Sequence, residues 1–202
     1  MIAIILAHGK GQNILDLNLE TIKNWCTDFE IICPEDDPVF GYKNIHLRGR
    51  SEHNGVDSVE RMRYACEVAS KHKQAFIVEY DTMCFSKAPK AKKGKLLACG
   101  PFYDLDGPFK SKWYSHSPWV LSQTDFKKLA KCPTAELETN FPDRWLAAAC
   151  DSLAIEPSGL DGWYSRNSID TDEYLNDAIV ARKCGAIAIH GIKTSIVYEA
   201  LR

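Results

Sequence analysis

Ala75-Phe76-Ile77-Val78-Glu79-Tyr80-Asp81 is the stretch of this 202-residue chain that decides the fold. Its short apolar run predicts a buried strand, and the strand ends in two acids one residue apart. An open α/β sheet binds ligands just outside the carboxyl ends of its strands, so Glu79 and Asp81 are expected over a cleft. A hard divalent cation is their natural partner, since it prefers carboxylate oxygen and keeps positions open for phosphate. On this short motif alone, the reading as two acids that simply meet water stays open.

Upstream, residues 2–7 predict another buried strand, ended by the glycines of His8-Gly9-Lys10-Gly11. Leu15, Leu19, Ile22 and Cys26 recur at helical spacing before a short strand over 30–33, so the chain opens as a β-α-β unit. Residues 44–47 are a further strand candidate. The helix that feeds the acidic strand carries Val59, Met62, Cys66 and Ala69 on one face, with Asp57 and Glu60 spaced as a capping box. Downstream the pattern loosens, with strands expected over 95–100 and 117–121 and helices over 123–131 and 143–153. Thr171 caps a last helix over 171–184 that has Asp172 and Glu173 in its first turn, Arg182 and Lys183 in its last, and Gly185 as its stop. A final strand over 186–190 ends at His190-Gly191. This alternation predicts one α/β domain whose sheet is parallel in its N-terminal part.

Composition narrows the function classes. With 25 Lys and Arg against 27 Asp and Glu, and 45% hydrophobic residues, the chain is no polybasic arm, disordered linker or disulfide miniprotein. A chain of this length hides roughly 70% of its extended surface on folding, so a metal would serve chemistry and not act as a staple. The eight cysteines contain no C-x-x-C pair, which leaves zinc-ribbon and thioredoxin-like readings unsupported. Set among apolar neighbours, they are expected to behave as small hydrophobes. The apolar start ends at Ala7, too short for a signal peptide or a span, and the chain is expected to be soluble and cytoplasmic. Charge is uneven: from Lys87 to Lys131 ten Lys face three Asp, a balance of +7 that leaves −9 for the rest of a chain with net charge −2.

His190 supplies the second half of the candidate site. If its strand and that of Asp81 share one sheet, the imidazole and the carboxylate meet across the cleft, a mixed donor set that suits manganese. Lys193, just past the glycine turn, would face phosphates as a point charge. The plainer alternative is a core histidine bonded to backbone.

At this point the chain resembles nucleotide-sugar-dependent glycosyltransferases of the GT-A fold. The likeness rests on Asn54-Gly55, then Arg63 on a helix sixteen residues ahead of Glu79, then Phe76 to Asp81 as an acid-x-acid (DxD-type) strand end, and a late His190. It covers about residues 1–85 and 170–194. The resemblance implies a single-domain, Rossmann-type α/β sandwich over 1–202 with a mixed, largely parallel sheet. About 1–85 would form the nucleotide-sugar half and about 86–202 the acceptor half with the C-terminal metal and phosphate residues. It further implies that Ala7 and His8 border the base, that Arg63 lies near the nucleotide, and that Glu79 reaches the ribose or a metal-bound water. Asp81 and His190 would hold Mn2+ or Mg2+ directly. Glu79 departs from the commoner Asp, and its longer side chain leaves its role less defined.

The chemistry is consistent with these residues. Breaking the bond between an anomeric carbon and a phosphate oxygen builds negative charge on the diphosphate, which a cation and a lysine stabilise. An inverting enzyme also needs a base for the acceptor hydroxyl, and Asp143, opening a helix, is the candidate; it is equally placed as a helix cap. The aromatics and histidine from Trp113 to Trp119 are candidates for the acceptor floor or for core. The +7 segment suggests an anionic acceptor, such as DNA with a hydroxylated base or a phosphorylated lipid, against the alternative of a solvated face. Among rival classes, a dinucleotide oxidoreductase lacks the third glycine of its fingerprint, where Ile14 stands, and no P-loop sequence occurs. A metal-dependent nuclease and a noncatalytic nucleotide-binding module remain as alternatives.

Overall fold

The computed structural model describes residues 1–52, 55–108, 110–134 and 141–202; Asn54 lies outside them. At its centre β1 (Ile2–Leu6) runs parallel to β2 (Asp28–Cys33) on one side and to β4 (Ala75–Glu79) on the other, with Leu6 beside Glu79. These strands are nearly all apolar because helices cover both faces of the sheet. The large sheet has seven strands in the order β3 (Ile45–Leu47), β2, β1, β4, β7 (Trp113–Val120), β6 (Lys95–Tyr103), β8 (Glu156–Gly159). Only the pairings of β7 are antiparallel, so the sheet is mixed and largely parallel.

One face is covered by α2 (Val56–Ser70), α3 (Gln123–Leu129) and α4 (Pro142–Ser152), whose Met62, Phe126 and Trp145 pack on Ile77 and Trp119. The other face is covered by α1 (Gln12–Ile22), through Leu15, Leu19 and Ile22 against Ile5, Phe76 and Val78. A second sheet, β5 (Thr82–Cys84), β10 (Ala188–His190) and β9 (Trp163–Ser165), packs with α5 (Asp172–Lys183) and α6 (Ser195–Leu201) around Met83, Ile189 and Tyr198. All eight cysteines are free and all but Cys184 are buried, as small hydrophobes would be.

Several expectations need correction. His190 does not end a strand of the main sheet: just after Asp81 the chain turns into β5, and β10 pairs antiparallel with it, placing His190 opposite Thr82. Helix α2 starts earlier than the expected capping box, so Gly55 is its N-cap and Ser58, not Glu60, accepts the Gly55 N–H. Asp57 instead accepts the Arg50 N–H at 2.6 Å. Helix α4 begins at Pro142 with Phe141 as N-cap, so Asp143 lies inside the first turn and does not cap it. Among the described residues no helix is long and apolar enough to cross a membrane.

Candidate functional site

The turn from β4 into β5 is fixed at every residue. The Glu79 N–H donates to Ser117 Oγ at 2.7 Å and the Tyr80 N–H to the Leu6 carbonyl at 3.0 Å. The Tyr80 carbonyl accepts from Asn18 Nδ2 at 2.9 Å. The Asp81 carbonyl accepts from the Gly191 and Ile192 N–H groups at 3.1 and 2.9 Å, which ties the acidic turn to the turn that follows His190. Only glycine fits at 191, where φ is +102° and a Cβ would stand 2.4 Å from the Arg166 carbonyl oxygen.

These constraints bring one ligand atom each of Glu79, Asp81 and His190 within 4.8 Å of one another. His190 Nδ1 lies 3.4 Å from Asp81 Oδ1 and 3.6 Å from Glu79 Oε2, and 3.2 Å from the Thr82 hydroxyl. Lys193 Nζ donates to the other Asp81 oxygen, Oδ2. Asp81 is 1% exposed, yet its Oδ1 has no hydrogen-bond partner. Leaving a buried acceptor unmade costs about 1 to 3 kcal/mol, more when it is charged. A divalent cation on Asp81, His190 and Glu79 would supply the missing partner, so the donor set fits a hard or borderline metal.

The electrostatics of the cluster separate its acids. Burial next to Asp81 pushes the Glu79 carboxyl up to about 8, although 34% of its side chain still meets the cleft. Burial also works against ionised Asp81, but His190 and Lys193 outweigh it and hold that carboxyl below its ordinary range. Burial lowers His190, with Asp81 opposing, which keeps a nitrogen lone pair available for a metal.

Two cavities meet at this cluster. The first, about 370 Å³, runs from Ala7, His8, Pro34 and Asp37 past Ser58 and Arg61 to Tyr80 and Asp81. The second, about 520 Å³, is bordered by Tyr114, His116, Asp143, Arg144, Asn167 and His190. Glu79, Pro142 and Lys193 border both.

Of the residues singled out in the sequence, Ala7, His8, Glu79, Asp81 and Lys193 therefore line the first cavity, and Glu79, Asp143, His190 and Lys193 line the second. Arg63 lines neither. Its guanidinium bonds Glu60 at 2.9 Å and the Ala130 carbonyl at 3.0 Å, joining α2 to the end of α3. The arginine at the first cavity is Arg61, which donates to the Glu52 and Arg50 carbonyls and holds the loop that brings Ser51 and Glu52 to the rim. The two arginines flank buried Met62 at about 100° on either side, so they leave the helix toward different neighbours. Asp37, whose backbone carbonyl accepts the Gly9 N–H at 2.8 Å and whose carboxylate lies 3.5 Å from His8, was also missed; it sits in a turn with no periodicity to announce it.

The lysine-rich segment does not gather at the cleft. None of its ten lysines lines either cavity. Because β6 runs antiparallel to β7, Lys95 opens β6 near the Val120 and Phe76 end of the sheet, away from Glu79, and it pairs with Glu156. From the aromatic stretch, Tyr114, His116 and Trp119 reach the second cavity, but Arg144 covers the Tyr114 ring at 4.1 Å and Phe102 stacks on it at 5.2 Å. Trp113 is core, its Nε1 donating to Asp151 at 2.7 Å.

The architecture is that of a GT-A-type α/β fold. A crystal structure of the galactosyltransferase LgtC, in complex with donor and acceptor sugar analogs, matches this chain with a TM-score of 0.57, covering 95% of it and 87% of LgtC at 10% identity. No family model matches the chain. No curated protein matches it.

Proposed function

We propose that the protein is a metal-dependent glycosyltransferase that moves a sugar from a nucleoside diphosphate sugar to a hydroxyl acceptor. The observation that carries this reading is the convergence of Glu79, Asp81 and His190 where two cavities join, at the carboxyl end of β4. The shared fold with a galactosyltransferase solved with donor and acceptor sugar analogs supports it. The nucleotide occupies the first cavity, with its base toward Ala7, His8 and Asp37, and the acceptor occupies the second.

Asp81 and His190, with Glu79, would hold Mn2+ or Mg2+. When bound, the cation offsets the charge that builds on the diphosphate as the sugar leaves. Lys193, at the junction of the cavities, adds a second positive charge on the same leaving group. Arg61 takes the organising role at the nucleotide end by holding the 48–52 loop. Asp143, which lines the second cavity, accepts the acceptor's hydroxyl proton if the transfer inverts the anomeric carbon. The acceptor is recognised by His116, Arg144 and Asn167 and not by the lysines between Lys87 and Lys131.

A thermal-shift series tests the reading: UDP, GDP and their sugar conjugates, with and without Mn2+, on the wild type and Asp81→Ala. Stabilisation should need nucleotide and metal together and vanish in the variant. Stabilisation by nucleotide that ignores both metal and Asp81 would favour a noncatalytic module instead.

A further inference from the structure

Lys193 is tied to the metal cluster more tightly than a phosphate-binding lysine requires. Its ammonium donates to Asp81 Oδ2, the partner oxygen of the one that faces His190, and it lies 5.2 Å from the centre of the Tyr80 ring. Asp81 is buried, so little water screens what its two oxygens touch, whereas the Lys193 side chain keeps 36% of its surface open to the cavities. A divalent ion held by Glu79, Asp81 and His190 would therefore share one carboxylate with an ammonium. The two positive charges, a few ångströms apart in a poorly screened place, repel.

Building on the metal-dependent reading above, we propose that Lys193 makes cation binding and diphosphate binding conditional on each other. Alone, the cation meets the competing ammonium on Asp81 and binds weakly. A diphosphate brings negative charge to cation and ammonium at once, and the four-carbon stem of Lys193 lets its head turn from Asp81 toward the phosphates. The repulsion becomes a shared attraction, and each ligand tightens the other. The coupling is reciprocal by thermodynamic necessity: whatever factor the diphosphate adds to cation affinity, the cation adds to diphosphate affinity. Such a site discriminates against free metal and against free nucleotide, and assembles fully only with both.

Calorimetric titration of Mn2+ into the full chain, with and without saturating UDP or GDP, tests this on the wild type, Lys193→Met and Lys193→Arg. Lys193→Met should bind Mn2+ alone about tenfold tighter than wild type, and the tightening of Mn2+ by nucleotide should shrink by a similar factor. Lys193→Arg keeps the charge and should keep the coupling. The methionine variant leaves Asp81 without its ammonium, so its melting temperature without metal should fall and its rise on adding Mn2+ should exceed that of wild type. If that variant does not fold without metal, Lys193→Gln, which keeps an N–H for Asp81 but no charge, should show the same changes. Bare Mn2+ binding to the uncharged variants no tighter than to wild type, or an unchanged nucleotide effect, overturns the coupling and leaves the metal site standing. A wild type that binds no Mn2+ under any condition overturns both.

Discussion

At the sheet edge, Glu30 on β2 bonds His46 Nε2 at 2.6 Å through one oxygen and His72 Nε2 at 2.8 Å through the other. At the cleft, Asp81 bonds Lys193 through one oxygen and leaves the other buried without a hydrogen bond. Both clusters set a shielded carboxylate against imidazole, and both join elements distant in sequence. The Glu30 cluster is complete, since His46 Nδ1 also meets the Tyr64 hydroxyl at 3.1 Å and the Arg48 guanidinium covers the Tyr64 ring at 4.3 Å. It works as a clasp between β2, β3 and the end of α2. The Asp81 cluster stays incomplete by one partner, and that deficit, more than the residue types, separates a candidate ligand site from a brace.

Substitution at Asp81 should have the largest effect. On the proposed function, Asp81→Ala removes the central metal ligand and should lower Mn2+-dependent sugar transfer or donor hydrolysis on the order of 10²- to 10³-fold. Stability in metal-free buffer should change little, because the orphaned oxygen disappears with the side chain and Lys193 can turn toward water. Glu30→Gln should do the reverse. Two imidazoles lose a carboxylate partner, so denaturant unfolding should register a loss of about 2 kcal/mol, while calorimetric Mn2+ affinity stays at the wild-type value. A Glu30 variant that weakens Mn2+ would break the distinction between the two clusters.

This distinction was only half visible in the sequence. The acid-x-acid end of β4, the β-α-β opening and the capped α5 could be read because apolar runs and caps are local signals. The partners of Asp81 cannot be fully placed from sequence, because β5, β9 and β10 have three residues each, too few for any periodicity to tell the sheet of His190. Arg61 and Arg63 look alike in sequence, and the choice between them depends on which neighbour flanks each side of α2. The +7 segment illustrates the same limit at longer range, since β6 carries Lys95 to the end of the sheet opposite Glu79 even though Lys87 follows Asp81 by only six residues. The Glu30 clasp gave no signal, its members coming from two strands and a helix end.

Asn18 sharpens the comparison from inside the fold. It is fully buried on α1, spends its Nδ2 on the Tyr80 carbonyl between the two acids, and leaves its own Oδ1 unpartnered. Replacing it by leucine loses a hydrogen bond of about 1 kcal/mol but also removes an orphaned acceptor of similar cost, so stability should hold within about 1 kcal/mol. The acidic turn, however, loses its clamp. Groups that orient metal ligands typically govern 10- to 100-fold in affinity, and Asn18→Leu should weaken Mn2+ by about tenfold. Equal Mn2+ affinity at equal stability would show that the other anchors of the turn suffice.

The smallest effect concerns His116, whose ring stands 5.0 Å from that of His190 and whose Nδ1 lies 2.7 Å from Ser165 Oγ. Burial first, and His190 second, push this imidazole down to about 3. In the unfolded chain it titrates near its ordinary value of about 6.5, so between those limits the unfolded state takes up a proton that the folded state refuses. Stability from this group is therefore full above pH 6.5 and drains away as pH falls. At pH 6 the loss amounts to about 0.8 kcal/mol. His116→Gln cannot titrate and can still bond Ser165, so urea unfolding at pH 8 and pH 6 should show a smaller drop in the variant by about that amount. His190, also lowered by burial, remains in both proteins and cancels in the difference. Identical drops in the two proteins would mean that acid reaches the cleft and protonates His116 without unfolding the chain. The cleft end of the molecule would then be softer toward protons than its buried packing implies.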